Sequence, residues 1–354
     1  MKNIKNIAGA VLAFSAVLLF FGCGGKTNSS GSSSAASSSS AAQKTIKVKM
    51  THTGTELTLA HQAFVVIKEY MEKNSNGVFQ VDIYPNGQLG NDAQIVEAVQ
   101  EGDVHLMFTN TGNLISFVPE LGVLQVPFAF PSNETAYQVL DGSFGQEMLG
   151  MMESKGSMVG LGWLEAVAYR ELSAKKQVRV PADMTGIKIR VMTNPIQNAI
   201  WENLGAQPTP ISFAELYTAL QQGTVDAQEN PLELFISQRF YEVQKYITLT
   251  HHIFTTGMFL ANPAWFNKLS PDLQKVVRDA TMEGTLFQRK KSAENYDGYL
   301  KTLADNGVTV TTLTDEEFNQ WKEKASPVNA MIAKEVGGQA LIDKLFSAVQ
   351  AAQK

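Results

Sequence analysis

The chain has one cysteine among its 354 residues, Cys23, so no disulfide can form within it and a disulfide-stapled fold is excluded. The chain also lacks a strong excess of charge of either sign, since it has 29 Lys and Arg against 34 Asp and Glu, and it contains no basic run. A nucleic-acid partner is therefore not expected. The sequence contains neither the serine-nucleophile pattern G-x-S-x-G nor the zinc pattern H-E-x-x-H. Nothing in it favours an enzyme over a binding protein.

Long hydrophobic runs are equally scarce, and the one that exists lies near the start of the chain, from Ile7 to Phe21 behind Lys2 and Lys5. It is short for a membrane span but has the length of a signal-peptide core. We therefore predict a signal peptide over residues 1–22 and export of the protein. The remainder, about 310 residues beyond residue 43, suffices for two domains of ordinary size.

Cys23 follows Gly22 directly, and a cysteine after a small residue at the end of such a run resembles the lipobox of bacterial lipoproteins. The resemblance implies a lipid anchor at Cys23 and a protein held on the outer side of a membrane. The alternative is a cysteine that merely lies at the end of a signal peptide. Residues 24–43 are mostly Ser, Gly and Ala, a composition with too little apolar surface to order itself. Residues 23–43 are thus predicted to be an anchor followed by a Ser-rich tether.

Beyond the tether, the hydrophobic pattern alternates between two periods. Apolar residues at every second position predict strands over Thr45–Thr51, Val78–Tyr84 and Val104–Phe108. Between them, apolar residues at helical spacing predict a helix from Ala60 to Met71 and a short one over Asp92–Glu101. Alternating strands and helices predict an α/β fold with mainly parallel sheets covered by helices.

The stretch from Gly186 to Pro231 repeats this strand-helix pattern twice. A strand over Gly186–Met192 is followed by Asn194, a residue suited to begin a helix. A second helix is predicted to start with a capping box formed by Ser212 and Glu215 and to lead into a short strand at Thr224–Ala227. Strand ends and helix starts therefore meet at one edge of the sheet, where open α/β sheets bind small ligands.

Three side chains at this edge have suitable chemistry for a carboxylate ligand. Arg190 offers a planar fork of donors, Asn230 a donor and an acceptor, and Phe213 an apolar wall. Each also has an ordinary structural interpretation: a solvated arginine, a polar turn before Pro231, and a core phenylalanine. His52 and Asp92 follow a strand and precede a helix, where ligand contacts are expected, although a solvated loop histidine and a helix-start aspartate explain them as well.

A resemblance decides between these interpretations. The stretch contains K-I-R, then LGA with two prolines, then F-x-E-x-Y-x-A-L-Q-x-G-x-V-D-x-Q-E-N-P, and upstream lie YPNGQLGND, EAVQEGDV, VPFAF and YREL in that order. This set resembles the signature of the solute-binding proteins of TRAP transporters (tripartite ATP-independent periplasmic transporters), the DctP family. The resemblance runs from Thr45 to the C-terminal helices.

The resemblance implies a periplasmic-binding-protein-like fold in which two domains enclose a ligand cleft and one long helix braces both. Helical pattern from Ser270 to Leu303 supplies the candidate for that helix. We place domain I at residues 44–167 plus about 256–295, and domain II at 168–255 plus about 296–354. Val308–Thr312 is predicted to be a returning strand, with amphipathic helices after it.

For function, the resemblance implies an exported receptor that closes on a small organic acid and delivers it to a membrane permease with a small and a large subunit. Arg190 would bind the carboxylate, with Asn230 and Arg170 completing its hydrogen bonds, Phe213 packing on the ligand and Asn110 contributing selectivity. Two guanidinium groups in one closed cleft would need an anion to neutralise them. The alternatives are a lipoprotein that presents the same pocket to a signalling partner, and a secreted hydrolase or isomerase.

No metal or other cofactor is predicted. His251 and His252 are adjacent, so their side chains diverge, and no third ligand at zinc spacing is near them. The identity of the acid stays open between a C4-dicarboxylate, which paired arginines permit, and a sugar acid. Glu165 and Glu233 favour a polyhydroxylated acid if they face the cleft, and are otherwise surface carboxylates.

Overall fold

A computed structural model describes residues 45–164 and 169–354. The predicted signal peptide, Cys23, the Ser-rich tether and Glu165 lie outside the described residues. Lys44–Lys354 forms one compact unit. Within the described ranges, no helix combines the length and hydrophobicity needed to cross a membrane.

The strands of the described residues form two sheets. They are β1 (Ile46–Thr51), β2 (Phe79–Tyr84), β3 (Leu106–Asn110), β4 (Val159–Trp163), β5 (Tyr169–Ala174), β6 (Lys188–Val191), β7 (Gln207–Pro210), β8 (Ala227–Asn230), β9 (Tyr246–Phe254), β10 (Gly257–Ala261) and β11 (Thr309–Thr312). The first sheet has the order β2-β1-β3-β10-β4, and the second has the order β11-β9-β5-β8-β6-β7. The chain passes from the first sheet to the second between β4 and β5, returns between β9 and β10, and crosses to the second sheet again between β10 and β11.

Both sheets contain parallel and antiparallel strands. β1 runs parallel to β2 and β3, β6 runs parallel to β7 and β8, and β11 runs parallel to β9. β5 and β10 run antiparallel to both of their neighbours. The two-sheet α/β fold is confirmed, and five of the nine pairings among the described strands are parallel, so the sheets are mixed with a small parallel majority.

Helices cover these sheets. They are α1 (Leu59–Asn74), α2 (Asp92–Glu101), α3 (Asn133–Asp141), α4 (Ser143–Ser154), α5 (Pro195–Asn203), α6 (Leu216–Gln222), α7 (Leu232–Ser237), α8 (Pro263–Phe266), α9 (Pro271–Asp305), α10 (Asp315–Ala325), α11 (Val328–Glu335) and α12 (Gln339–Ala352). Their starts are set by local side chains: Asn91 accepts the N–H of Gln94 at the start of α2, and Asn194 accepts the N–H of Gln197 at the start of α5.

Helix α9 braces the two sheets, as the resemblance implied. Ser270 caps its start. Val277 and Ala280, in its first half, pack in one hydrophobic cluster with β1 and α1, whereas Leu303, near its end, packs in another cluster with α6 and α7. At 35 residues, the helix is about three times the ordinary length. The assignment of the remaining helices to two domains stays a prediction.

Two local predictions in the central stretch are wrong. Ser212 and Glu215 do not form a capping box, because the Ser212 hydroxyl donates to the Glu215 carboxylate at 2.6 Å and a 3-10 turn, Phe213–Glu215, precedes α6. The strand predicted at Thr224–Ala227 lies instead at Ala227–Asn230, where all four residues are buried. The polar residues of this strand are typical of a turn, but Glu229 is buried against Arg170 of β5.

Candidate functional site

The carboxyl ends of four strands from both sheets meet around one cavity. His52 follows β1, Asn110 ends β3, Arg190 lies one residue before the end of β6, and Asn230 ends β8. All seven residues predicted to contact ligand line this cavity, namely His52, Asp92, Asn110, Arg170, Arg190, Phe213 and Asn230. The cavity is thus built where open α/β sheets place ligands.

Arg190 is the exceptional group in this cavity, because it is buried and largely unpaired. Its side chain is 3 % exposed. Nε donates to the backbone oxygen of Ile211 at 2.8 Å, and among the described residues this is its one hydrogen bond. Burial, together with the positive charge of Arg170, lowers its pKa to about 10, although the carboxylates of Glu229 and Asp92 oppose the shift. It is still cationic at neutral pH, with its terminal nitrogens available to a ligand.

Arg170 differs, because its charge is already neutralised. Its Nε and Nη2 donate to the two carboxylate oxygens of Glu229, the latter at 2.7 Å, and Nη2 also donates to the Glu229 carbonyl at 2.6 Å and to Asn230 Oδ1 at 3.0 Å. Burial raises the pKa of Glu229, but the charges and hydrogen bonds of Arg170 and His252 outweigh it and hold that pKa at about 2. The expectation that both arginines need a ligand anion is therefore wrong for Arg170.

The adjacent histidines belong to two different environments. His252 is buried, and its Nε2 lies 3.1 Å from Glu229 Oε2, so it extends the Arg170–Glu229 pair. His251 points the other way, and its Nδ1 lies 3.5 Å from Glu171 Oε1. Burial lowers the pKa of both histidines. In the described part of the chain, no three His, Cys, Asp or Glu side chains are grouped to hold a metal.

Asn230 and Phe213 complete the wall on the Arg190 side. The amide of Asn230 is oriented at both ends, since Oδ1 accepts from Arg170 and Nδ2 donates to Gln228 Oε1 at 2.6 Å. Phe213 lies edge-on to Phe240, with ring centroids 6.3 Å apart, and presents apolar surface to the cavity. Packing and hydrogen bonds thus fix these side chains before any ligand arrives.

The opposite wall is formed by the first sheet and α2. Asp92 Oδ1 accepts the hydroxyls of Thr109 at 2.7 Å and Thr53 at 3.3 Å. Burial raises the pKa of Asp92, and these hydrogen bonds oppose the rise. Asn110 Oδ1 accepts the N–H of Gly112 at 2.9 Å, which fixes the turn after β3. This wall therefore carries mainly acceptors.

His52 lies deep in the same wall. It is 1 % exposed, its Nε2 is 3.1 Å from His61 Nδ1, and the backbone of Gly54 is its other polar neighbour. Burial, with the neighbouring His61, lowers its pKa to about 3. His52 is therefore a neutral hydrogen-bonding group throughout the physiological range.

Sequence reasoning gave little weight to Glu233 and missed Thr255. Glu233 is 4 % exposed and lines the cavity, where its Oε1 accepts the N–H of Leu59 at the start of α1 at 3.1 Å. Burial raises the pKa of Glu233 to about 7. Thr255 lines the cavity, and its hydroxyl is buried without a partner among the described residues. Glu233 was visible as an acid just after the Q-E-N-P motif, whereas no sequence signal marks Thr255.

A family model for bacterial extracellular solute-binding protein, family 7 (DctP), matches residues 50–335 of this chain. A relative named solute-binding protein, from Verminephrobacter eiseniae, is 37 % identical over 303 residues, which cover 85 % of this chain and 88 % of the relative. A C4-dicarboxylate-binding periplasmic protein, DctP, of Rhodobacter capsulatus is 30 % identical over 301 residues, 84 % of this chain and 89 % of the relative.

Among solved structures, the sugar acid binding protein DctPAm of Advenella mimigardefordensis, in complex with galactonate, is similar to this chain with a TM-score of 0.84. The two are 32 % identical in sequence, and the match covers 87 % of this chain and 99 % of the other. The similarity therefore extends over both sheets and the cavity between their strand ends.

Proposed function

This chain belongs to family 7 of the bacterial extracellular solute-binding proteins (DctP), the receptors of TRAP transporters, and from that premise we propose that the cavity around Arg190 binds the carboxylate of a small organic acid. The observation that carries the proposal is the state of Arg190. A buried guanidinium with one hydrogen bond is costly unless an anion completes its pairing. Its planar fork matches a carboxylate in two-point geometry.

The neighbouring groups have supporting roles. Asn230, held by Arg170 and Gln228, is oriented toward the carboxylate that Arg190 anchors. Phe213 packs against the carbon frame of the ligand. Arg170 acts chiefly as a positioning group, since Glu229 already takes up its charge. The positive charge of Arg190 thus binds the carboxylate, and the prearranged Asn230 and Phe213 position the ligand. Asn110, Asp92 and His52 supply selectivity.

Closure of the two sheets on the ligand is supported by hydrogen bonds that connect their elements. Glu233 of α7 accepts the N–H of Leu59 of α1 at 3.1 Å. Asn194, which caps α5, donates to the carbonyl of Gly112 after β3 at 3.1 Å. These bonds connect the two walls beside the cavity, and loss of water on closure would strengthen the charge-assisted bonds to the ligand. Ligand binding and closure therefore reinforce each other.

The closed receptor would then deliver its ligand to a TRAP permease composed of a small and a large membrane subunit. A lipid at Cys23, followed by the tether over residues 24–43, would keep the receptor at the membrane that holds the permease. We further propose that the bound acid is released unchanged, so the protein acts as a receptor and not as an enzyme.

A thermal-shift screen of the purified protein tests the central proposal. The panel consists of C4-dicarboxylates, sugar acids, keto acids, aromatic acids and neutral sugars. An acid present at about 100 times its dissociation constant adds roughly 2.7 kcal/mol to the free energy of unfolding and raises the melting temperature by several degrees. A shift with neutral sugars alone would contradict a carboxylate anchored by Arg190. Recovery of the bound acid by NMR, unaltered after long incubation, tests the absence of turnover.

A further inference from the structure

The charges that line the cavity are unequally distributed. The cations among its described lining residues are Arg170 and Arg190, and Arg170 is paired with Glu229. The remaining ionisable lining groups are Asp92, Glu233 and His52. Two of these are carboxyls, and the third is an imidazole that burial keeps neutral. One positive charge, that of Arg190, is therefore free, and no second cation is available for a second carboxylate.

Two polar side chains of the cavity wall, His52 and Thr255, are buried with incomplete pairing. Thr255 Oγ1 has no partner in the described ranges, and the polar neighbours of the His52 ring are His61 Nδ1 and the backbone of Gly54. Both residues are about 1 % exposed, and both line the cavity. Buried polar atoms are satisfied in the great majority of native structures, so the unpaired Thr255 hydroxyl indicates a position where a ligand group completes the pairing. A ligand hydroxyl can both donate to and accept from the Thr255 hydroxyl and the neutral His52 imidazole.

The carboxyl groups of Asp92 and Glu233 also have unused hydrogen-bonding capacity. Asp92 accepts both threonine hydroxyls on Oδ1, and Oδ2 makes no hydrogen bond to a described side chain. Glu233 gives Oε1 to the N–H of Leu59. A carboxylate has about four acceptor sites, so both groups can accept further hydrogen bonds. A hydroxyl can supply such a bond, whereas a ligand carboxylate has no proton to donate and is repelled by either carboxyl in its ionised form.

Building on the proposed carboxylate site, we infer that the ligand is a hydroxylated monocarboxylate of the aldonic-acid type. Its carboxylate pairs with Arg190, and its hydroxyls bond to Asp92, Glu233, His52 and Thr255. A ligand hydroxyl suits all four groups, because a hydroxyl can both donate and accept a hydrogen bond. A C4-dicarboxylate would place its second charge among these groups without a cation. The hydroxyls would be bound by both walls of the cavity, since Asp92 lies on α2 and Glu233 lies on α7.

Isothermal titration calorimetry of the purified protein with matched acids tests this inference. Erythronate and gluconate supply one carboxylate with hydroxyls, butyrate and hexanoate the same carbon chains without hydroxyls, and succinate two carboxylates. We expect one of the aldonates to bind at least about tenfold more tightly than the hydroxyl-free acids and succinate, because unpaired polar groups would remain when the latter bind.

The outcomes separate this inference from the proposed function. Succinate or a hydroxyl-free acid binding as tightly as the tighter-binding aldonate overturns the inference while leaving a carboxylate receptor in place. If no carboxylate binds to protein that is folded by circular dichroism, the proposed function fails as well. Tight aldonate binding that Arg190→Ala leaves unchanged would place the ligand elsewhere and overturn both.

Two isosteric variants test the roles of the carboxyls. Asp92→Asn and Glu233→Gln retain an oxygen acceptor for the existing hydrogen bonds but remove the negative charge. We expect each to weaken aldonate binding by about tenfold or more, and the double variant to bind succinate more tightly than the parent does. Glu153→Gln, on the exposed surface of α4, is the matched control and should leave both affinities unchanged. Loss of affinity for aldonate and succinate alike would indicate a merely structural role and overturn the assignment.

Discussion

Arg170 Nη2 lies 2.7 Å from Glu229 Oε1, and neither side chain is more than 3 % exposed. The two residues lie on neighbouring antiparallel strands, β5 and β8. Because His252 and Asn230 bond to the same pair, it fixes several groups behind the cavity at once. The pair thereby separates the two arginines in function, with Arg170 stabilising the wall and Arg190 left for the ligand.

Because the Arg170–Glu229 pair is buried, breaking it should lower the free energy of unfolding by a large amount. Arg170→Met preserves most of the side-chain volume but leaves Glu229 as a buried carboxylate without its guanidinium. We expect a loss of about 3–5 kcal/mol in the free energy of unfolding, measured by urea denaturation. Lys301→Met, which removes a lysine paired with Asp305 on the exposed surface of α9, is the control and should change stability little.

A second substitution distinguishes the buried charge from lost packing. Adding Glu229→Gln to Arg170→Met removes the unpaired carboxylate, so the double variant should regain part of the lost stability. If the double variant is less stable than Arg170→Met by the full cost of another core mutation, the two residues do not act as a coupled pair.

Arg190 is predicted to act on ligand binding and not on the fold. Arg190→Ala should cost about 2–5 kcal/mol of binding free energy for the acid found in the screen, since truncation removes the one free charge of the cavity. Arg190→Lys should also bind poorly, because an ammonium cannot reproduce the two-point geometry. Calorimetry of both variants gives the affinities, with Arg278→Ala, whose guanidinium lies over Phe266, as the control. Retained affinity in Arg190→Ala would contradict its role as the anchor.

Much of this arrangement follows from local sequence, and the remainder depends on contacts that are distant in the chain. Helix α2 has the predicted bounds, Asp92–Glu101, because its capping residue and apolar spacing are local. β8 was misplaced because the polar Glu229 is buried only through Arg170, 59 residues away in sequence. All seven predicted site residues line the cavity. The pairing of Arg170 could not be predicted, because its partner Glu229 was taken as part of a turn.

Glu171 makes the stability of the protein depend on pH. It is 2 % exposed, and burial raises its pKa from 4.5 to about 8, although the N–H of His251 donates to it. Between these two pH values, the unfolded chain has lost this proton and the folded chain retains it. The free energy of unfolding therefore falls as pH rises through this range.

Glu171→Gln removes this titration while retaining an acceptor for His251. Relative to wild type, the variant should become progressively more stable as pH rises from 4.5 to about 8, as measured by urea denaturation at several pH values. Glu153→Gln, at an exposed site, provides the comparison. A stability difference between Glu171→Gln and wild type that stays constant over this range would show that Glu171 is ionised in the folded protein.

Two glycines of the bracing helix α9 predict opposite effects of the same substitution. At Gly298, a Cβ would meet no atom within 4 Å, so Gly298→Ala should stabilise the protein by about 0.5–1 kcal/mol through helix propensity alone. At Gly284, a Cβ would lie 2.7 Å from Cδ1 and Cγ1 of Ile67 on α1, a distance that packed atoms do not tolerate. Gly284→Ala should therefore be destabilising by about 1–3 kcal/mol despite the same gain in propensity.

The contact with Ile67 can be isolated by removing the two atoms that make it. Ile67→Ala deletes Cδ1 and Cγ1, so Gly284→Ala should cost less in that background than in wild type, and thermal denaturation of the four proteins gives the coupling free energy. Additive effects would mean that α1 moves away from α9 to accommodate the methyl group. Because α1 also presents the N–H of Leu59 to Glu233 at the cavity, such a movement would reach the binding site, and the affinity for the acid should then fall in Gly284→Ala but not in Gly298→Ala. A close approach of two helices outside the cavity would in that case set the geometry of the ligand site.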